Sequence, residues 1–250
     1  MAIVIKSEEE LGVMRDAGRV VVTTLEALRR EVKPGVSTGH LDALARSMAE
    51  SQGATPSFLG YSGFPASLCA SINDEVVHGI PSPQRILREG DIISLDFGVI
   101  YRGLQGDAAI TVAVGRVSET ARKLIEVTER ALYEGIERAL AGNRLSDISA
   151  AIQRYVEGQG FAVVRQYVGH GIGRAMHEEP QIPNFGPAGR GPLLKPGMVL
   201  ALEPMVNVGT FETKVLDDNW TVVTTDGSLS AHFEHTVAVT AEGPQILTMP

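Results

Sequence analysis

The sequence predicts an α+β fold, a mainly antiparallel sheet covered on one side by two helix pairs. Three observations carry that expectation. Apolar residues recur at helical spacing in four segments, which come as two consecutive pairs. Short strand-like runs cluster after each pair. The chain also repeats itself: Gly90–Asp96 (GDIISLD) reads onto Gly197–Glu203 (GMVLALE) at a constant offset of 107. Upstream, Gly35, Leu41, Ala45, Met48 and Gly53 fall at the same offset on Gly142, Ile148, Ile152, Tyr155 and Gly160. A repeat of this length marks two similar half-domains, expected at 7–115 and 119–242 of one domain covering 1–250.

In chain order, Ser7 and Glu10 form a capping-box pattern, and Leu11, Met14, Val21, Leu25 and Leu28 follow at helical spacing. Pro34-Gly35 ends that helix. A second starts near Thr38, carries Leu41, Leu44, Ala45, Met48 and Ala49, and stops at Gly53. Residues 54–66 read as an aromatic, Gly/Pro-rich loop, and residues 68–72 and 75–80 as a hairpin turning at Asn73-Asp74. Two acidic strands follow within 91–113. The second helix pair is expected over 119–141 and 146–157, and strands over 161–167, 198–203, 221–225 and 232–240. The Pro/Gly-rich stretch 181–197 reads as loop.

Composition narrows the function. The chain has 250 residues, 44% hydrophobic, and carries 22 basic against 30 acidic residues for a net charge of −8. With no basic run, a nucleic-acid surface is not expected. The single cysteine, Cys69, excludes an intramolecular disulfide and points to a reducing compartment. The opening M-A-I-V-I-K-S-E-E-E lacks the pattern of a secretory signal, and no apolar run reaches about 18 residues. A cytoplasmic protein off the membrane is the expectation.

Chemistry begins with the acids. Asp96 interrupts I-I-S-L-D-F-G, and Asp107 leads into A-A-I-T-V-A-V. A lone carboxylate in such a strand costs several kcal/mol unless it is protonated, paired or bound to a cation. Taken singly, either could be a strand-end turn cap. The repeat supplies partners, however: Asp96 falls on Glu203 and Asp107 on Glu234, the second pair at an offset of 127. A pseudo-two-fold axis would bring four carboxylates together. Three histidines stand in polar or glycine-flanked settings: His78 in V-V-H-G-I-P, His170 in V-G-H-G-I-G and His177 in A-M-H-E-E-P. Four carboxylates and an imidazole suit divalent Mn, Fe, Co or Zn. Five ligands fit two ions about 3.5–4 Å apart rather than one.

These residues resemble a type I methionine aminopeptidase of the short bacterial form, across nearly the whole chain. The resemblance rests on N-D-E-V-V-H-G-I-P, S-L-D-F-G with Gly106-Asp107, G-H-G-I-G-R-x-M-H-E-E-P, L-E-P and F-E-H-T. It implies the pseudo-symmetric pita-bread fold and two divalent metal ions. Asp96 would chelate the first, Asp107 and Glu234 would bridge both, and His170 and Glu203 would complete the second. Glu203 would relay a proton from a metal-bridging water, His177 would donate to the scissile carbonyl or its oxyanion, and His78 would contact the following peptide nitrogen. The methionine pocket would come from Phe58, Tyr61, Phe64, Cys69, Met176 and Trp220, a soft lining that suits a thioether. Implied substrates are amino-terminal methionine peptides and nascent chains with a small second residue. A monomer is implied, with ribosome association left open.

Phe58, Phe64, Met176 and His232 depart from the family's common residues. His232 lies two positions before Glu234, so both side chains are expected on the same side of one strand, with His232 near the metals, bonding a ligand or the substrate terminus. Within enzymes, the alternative is a prolidase or Xaa-Pro aminopeptidase, against which F-E-H-T and M-H-E-E-P weigh. A type II enzyme would need an insertion between Glu203 and Glu234. A metal-free peptide-binding module would lack some of the five ligands.

Overall fold

In the computed structural model, which describes residues 2–249, the first helix, α1, spans Glu8–Glu31. Its cap is the expected reciprocal one: Glu10 N–H donates to the Ser7 side chain, and Ser7 N–H to the Glu10 carboxylate. The other helices are α2 (Thr38–Ser51), α3 (Glu119–Ile136) and α4 (Leu145–Gly158). Nine strands form one antiparallel sheet. Seven of them lie side by side in the order Thr55–Pro56, Ile92–Tyr101, Leu104–Ala113, Glu234–Val239, Val199–Leu202, Gly169–Gly171 and Glu178–Ile182. Cys69–Ile72 also pairs with the Asp96 strand, and Pro244–Ile246 with the Glu234 strand. Two three-stranded sheets flank it. No helix among the described residues is long and apolar enough to cross a membrane.

The repeat is visible in the backbone. Helices α2 and α4 start and stop 107 residues apart, and so do the isolated bridges Ser37–Ile86 and Arg144–Leu193. Gly35, Gly53 and Gly90 share positive φ with Gly142, Gly160 and Gly197 at that same offset. The Asp107 and Glu234 strands, one from each half, are neighbours in the sheet, and the pseudo-two-fold axis falls between them. The fold is the pseudo-two-fold pita-bread architecture.

Strand alternation decides which face is chemical. Ile93, Leu95, Phe97 and Val99 pack into the core beneath α1 and α2, and Leu200, Leu202, Val237 and Val239 into the core beneath α3 and α4. Successive side chains point to opposite faces. Asp96, Asp107, Glu203 and Glu234 therefore share the face turned away from the helices.

Several elements differ from expectation. The chain does turn at Asn73, with φ 57, but its two arms join different sheets. Ile72 N–H donates to the Glu75 carboxylate at 2.8 Å, and Arg85 pairs with the same group, so a side chain takes the ladder bond next to the turn, while further along Ala70 N–H donates to Gly79 O at 2.8 Å. Helix α3 ends at Ile136, not 141, because Arg138 and Ala139 close tighter bonds to Gly135 and Ile136. Of 161–167, only Ala162–Val163 is strand, and Arg165 turns out to lie over the rings of Phe211 and Phe185. The stretch 181–197 begins inside the strand Glu178–Ile182. The run 232–240 is broken at Phe233, leaving His232 at the end of Ser230–His232 and Glu234 at the start of the next strand. Both backbone groups of His232 bond the Thr111 hydroxyl, at 2.9 and 2.8 Å, which holds it away from the Glu234 ladder.

Candidate metal centre

Register sorts the expected ligands into two rows across the sheet. In the first, Cys69 lies opposite Asp96, Asp96 opposite Ala109, and Ala109 opposite Glu234. In the second, Gly98 lies opposite Asp107, and Thr236 opposite Ala201, which is opposite His170. Thr236 joins Asp107 to this row by accepting its N–H at 3.1 Å and donating to its carbonyl at 2.8 Å. Glu203 follows directly on the strand of Ala201 and keeps the same face. Gly98, Ala109 and Ala201 alternate with the acids and leave the space between them open. A Cβ on Gly98 would stand 3.0 Å from Asp107 Oδ1 and 2.9 Å from Met176 Cε.

The donors fit divalent cations. Asp96 Oδ1, Asp107 Oδ1 and Glu234 Oε1 are buried with no hydrogen-bond partner among the described residues. Such orphaned carboxylate oxygens are costly without a counter-charge. The ligand atoms of Asp107, His170 and Glu234 lie within 4.8 Å of one another. His170 Nδ1 is 2.9 Å from the Gly171 carbonyl, so it carries the proton and leaves the Nε2 lone pair free. That nitrogen lies 3.5 Å from Glu203 Oε1, two acceptor atoms facing each other as a shared cation would require. Asn184, itself buried, donates to the Glu203 carbonyl at 3.0 Å and anchors the strand end.

Without cations, the electrostatics work against ionisation. Burial pushes Asp96 up to about 7. Burial, and then the charge of its acidic neighbours, raises Asp107, Glu203 and Glu234 well above the carboxylate range. Burial, then His177, lowers His78 and His170 to about 4, while burial lowers His177. The imidazoles are thus neutral at pH 7, as a ligand or a hydrogen-bond donor needs.

Every expected site residue lines one cleft of about 180 Å³. The five candidate ligands form its floor. Phe58, Tyr61, Phe64, Cys69, Met176 and Trp220 wall it, with His78 and His177 beside them. Trp220 is placed by a built turn: Asp218 accepts the N–H groups of Trp220 and Thr221, and Asn219 takes φ 64. Its ring meets Phe64 edge-on at 5.1 Å. His78 follows the strand Glu75–Val77 in the left-handed region, φ 61, a conformation uncommon outside glycine. His177 lies within a turn in which Glu178 accepts the N–H groups of Arg174 and Ala175 and pairs with buried Lys6. Cys69 is buried, and its thiol is held well above its ordinary value by burial and then by Asp96. A thiol so raised is a poor nucleophile, and the residue lines the cleft beside Phe64.

The model of metallopeptidase family M24 matches residues 12–241. The chain belongs to this family. It is 58% identical to a methionine aminopeptidase of Clostridium acetobutylicum, over 99% of both chains. It is 56% identical to methionine aminopeptidase 1 of Bacillus subtilis, over 98% of this chain and 99% of that one. A crystal structure of a methionine aminopeptidase from Thermotoga maritima superposes with a TM-score of 0.98 at 44% identity, covering 100% of both chains.

Some features of this M24 site have no counterpart among the residues expected from sequence. Ser62 also lines the cleft, Tyr167 meets His78 edge-on at 5.8 Å, and Asn184 anchors Glu203. Tyr167 lies three residues before His170, a spacing that could have marked it. No local pattern distinguishes Ser62 or Asn184 from the loop residues around them. His232, although on another strand than expected, brings Nε2 to 3.8 Å from Glu203 Oε2.

Proposed function

We propose that this M24 protein removes amino-terminal methionine from peptides and newly made chains, preferring a small second residue. One observation carries the reading: a carboxylate–imidazole floor of five donors opens directly into an apolar slot of soft and aromatic side chains. Two divalent ions, taken from Co, Mn, Fe or Zn, would be held by Asp96, Asp107, His170, Glu203 and Glu234. When bound, they supply carbonyl polarisation and an attacking water that ionises near neutral pH.

The remaining work falls to the chain itself. Phe58, Tyr61, Phe64, Cys69, Met176 and Trp220 take the methionine side chain and exclude water around the scissile bond. Glu203, the longer counterpart of Asp96, accepts a proton from the attacking water and returns it to the leaving amine. His177 donates to the carbonyl oxygen as negative charge develops there, and His78 orients the following peptide nitrogen. Neutral imidazoles suit both tasks. The implied setting is a cytoplasmic monomer acting on chains as they leave the ribosome.

The test compares methionine release from Met-Ala-Ser with proline-linked cleavage of Ala-Pro, by chelated protein given Mn(II), Co(II), Fe(II) or Zn(II) singly. This reading expects metal-restored turnover of Met-Ala-Ser alone. Preferential cleavage of Ala-Pro would make the protein a prolidase-type enzyme instead.

A further inference from the structure

Tyr61 is a wall of the slot, but its hydroxyl has a separate partner. The loop around it is closed by its own backbone. Tyr61 N–H donates to Phe58 O at 2.9 Å, Gly63 N–H to Gly60 O at 3.1 Å, and Gly60 N–H to Phe64 O at 2.8 Å. Gly60 and Gly63, at φ 81 and 89, supply the left-handed residues these turns need. The loop base is tied down by Ser57, whose N–H donates to Gly98 O at 2.9 Å and whose hydroxyl donates to Gln105 at 2.6 Å. Tyr61 is therefore held in place although it is 42% exposed. Its phenol oxygen lies 2.7 Å from His177 Nδ1. The His177 ring also lies against His170, with centroids 4.3 Å apart.

A neutral imidazole has one protonated and one bare nitrogen, and the bare nitrogen is a strong acceptor. A phenol has a proton to give and is the weaker acceptor of the two. The short contact is therefore O–H···Nδ1, which leaves the imidazole proton on Nε2. That tautomer keeps a donor available on the ring nitrogen remote from Tyr61.

We propose that Tyr61 is a positioning residue for His177, its hydroxyl fixing the imidazole in the Nε2–H tautomer that donates to the substrate carbonyl. The inference rests on the carbonyl-donor role given to His177 above. It separates two contributions of one side chain: the ring sets selection for methionine, and the hydroxyl sets turnover.

Tyr61→Phe keeps the wall and removes the hydroxyl, and at an exposed position it leaves folding intact. Its kcat on Met-Ala-Ser should fall about 10–100-fold, the scale of a lost oxyanion donor or a wrong tautomer. KM and the kcat/KM ratios among methionine, norleucine and leucine substrates should stay within about twofold. Tyr61→Leu should lose both turnover and selection. Independently, long-range ¹H–¹⁵N correlation on zinc-loaded protein should show His177 as Nε2–H in the wild type and as a tautomer mixture in Tyr61→Phe. Wild-type turnover in Tyr61→Phe, an unchanged tautomer in that variant, or a wild-type Nδ1–H tautomer overturns the proposal. If the wild-type protein releases no methionine, the functional reading fails instead, and the tautomer comparison alone decides this one.

Discussion

Asp96 and Glu234 flank Ala109 in a single row across three strands, one carboxylate from each half of the repeat with only a methyl group between them. Both have an oxygen buried without a partner. Two acids so placed either hold protons or share cations, and that choice governs how the site responds to metal and to pH.

Metal should stabilise the fold more as pH rises. The folded pKa of Asp96 is raised to about 7, and those of Asp107, Glu203 and Glu234 are raised too. In the metal-free protein these groups bind protons that the unfolded chain releases near pH 4, so their contribution to stability falls as pH rises through that window. Metal must displace the same protons and binds more weakly at low pH. The buried histidines away from the centre titrate in both forms and cancel in the difference. The rise in Tm on adding Mn(II) should therefore be larger at about pH 8 than at about pH 5.5, with about 2.7 kcal/mol gained at a hundredfold excess over Kd. An equal rise at both pH values would show that these carboxylates do not bind the metal.

Glu203→Gln and Asp96→Asn should part company, although the repeat makes them counterparts. Glu203→Gln should retain metal but lose about 10²–10⁴-fold in turnover, the range for lost acid–base help. Asp96→Asn should lose metal affinity and regain part of its activity at high metal concentration. Titration of both variants with Mn(II) or Co(II), following kcat, decides the matter. Recovery of Glu203→Gln to near wild-type turnover would move the proton relay to His78 or His177.

Trp220→Ala should weaken selection rather than chemistry. The indole walls the slot and meets Phe64 edge-on. Its loss should reduce discrimination of methionine from leucine and norleucine by about 1–3 kcal/mol. Unchanged ratios of kcat/KM across the three substrates would remove Trp220 from the pocket.

His232→Ala should lower kcat without emptying the site. Its Nε2 is buried, has no partner among the described residues and faces Glu203 Oε2 across 3.8 Å. A neighbour that orients Glu203 predicts a loss of about threefold to tenfold in kcat, with bound metal per chain unchanged and most activity restored by His232→Gln. Full activity in His232→Ala would leave the residue a core histidine only.

Much of the site is legible in the sequence because the repeat converts offsets along the chain into spatial rows. Asp96 and Asp107 pair with Glu203 and Glu234 by offset alone, and strand alternation puts all four on one face. The helices are equally readable, since caps such as Ser7–Glu10 and periodic apolar residues are local signals. What stays hidden depends on non-local partners. The regular ladder expected at Asn73 is lost where Glu75 takes the Ile72 N–H and the two arms pair with different strands, and the break at Phe233 follows from the Thr111 hydroxyl, more than a hundred residues away. The contact between the Tyr61 hydroxyl and His177 likewise joins two loops whose meeting no local pattern announces.

The central claim, metal-dependent removal of methionine, is tested most directly by free methionine released from Met-Ala-Ser after exhaustive chelation and stepwise return of Mn(II) or Co(II). Turnover should vanish on chelation and rise with added metal to saturation, and Asp107→Asn should remain inactive throughout, because Asp107 would be one of the residues that hold the metal. Full release of methionine by the chelated protein would contradict the account.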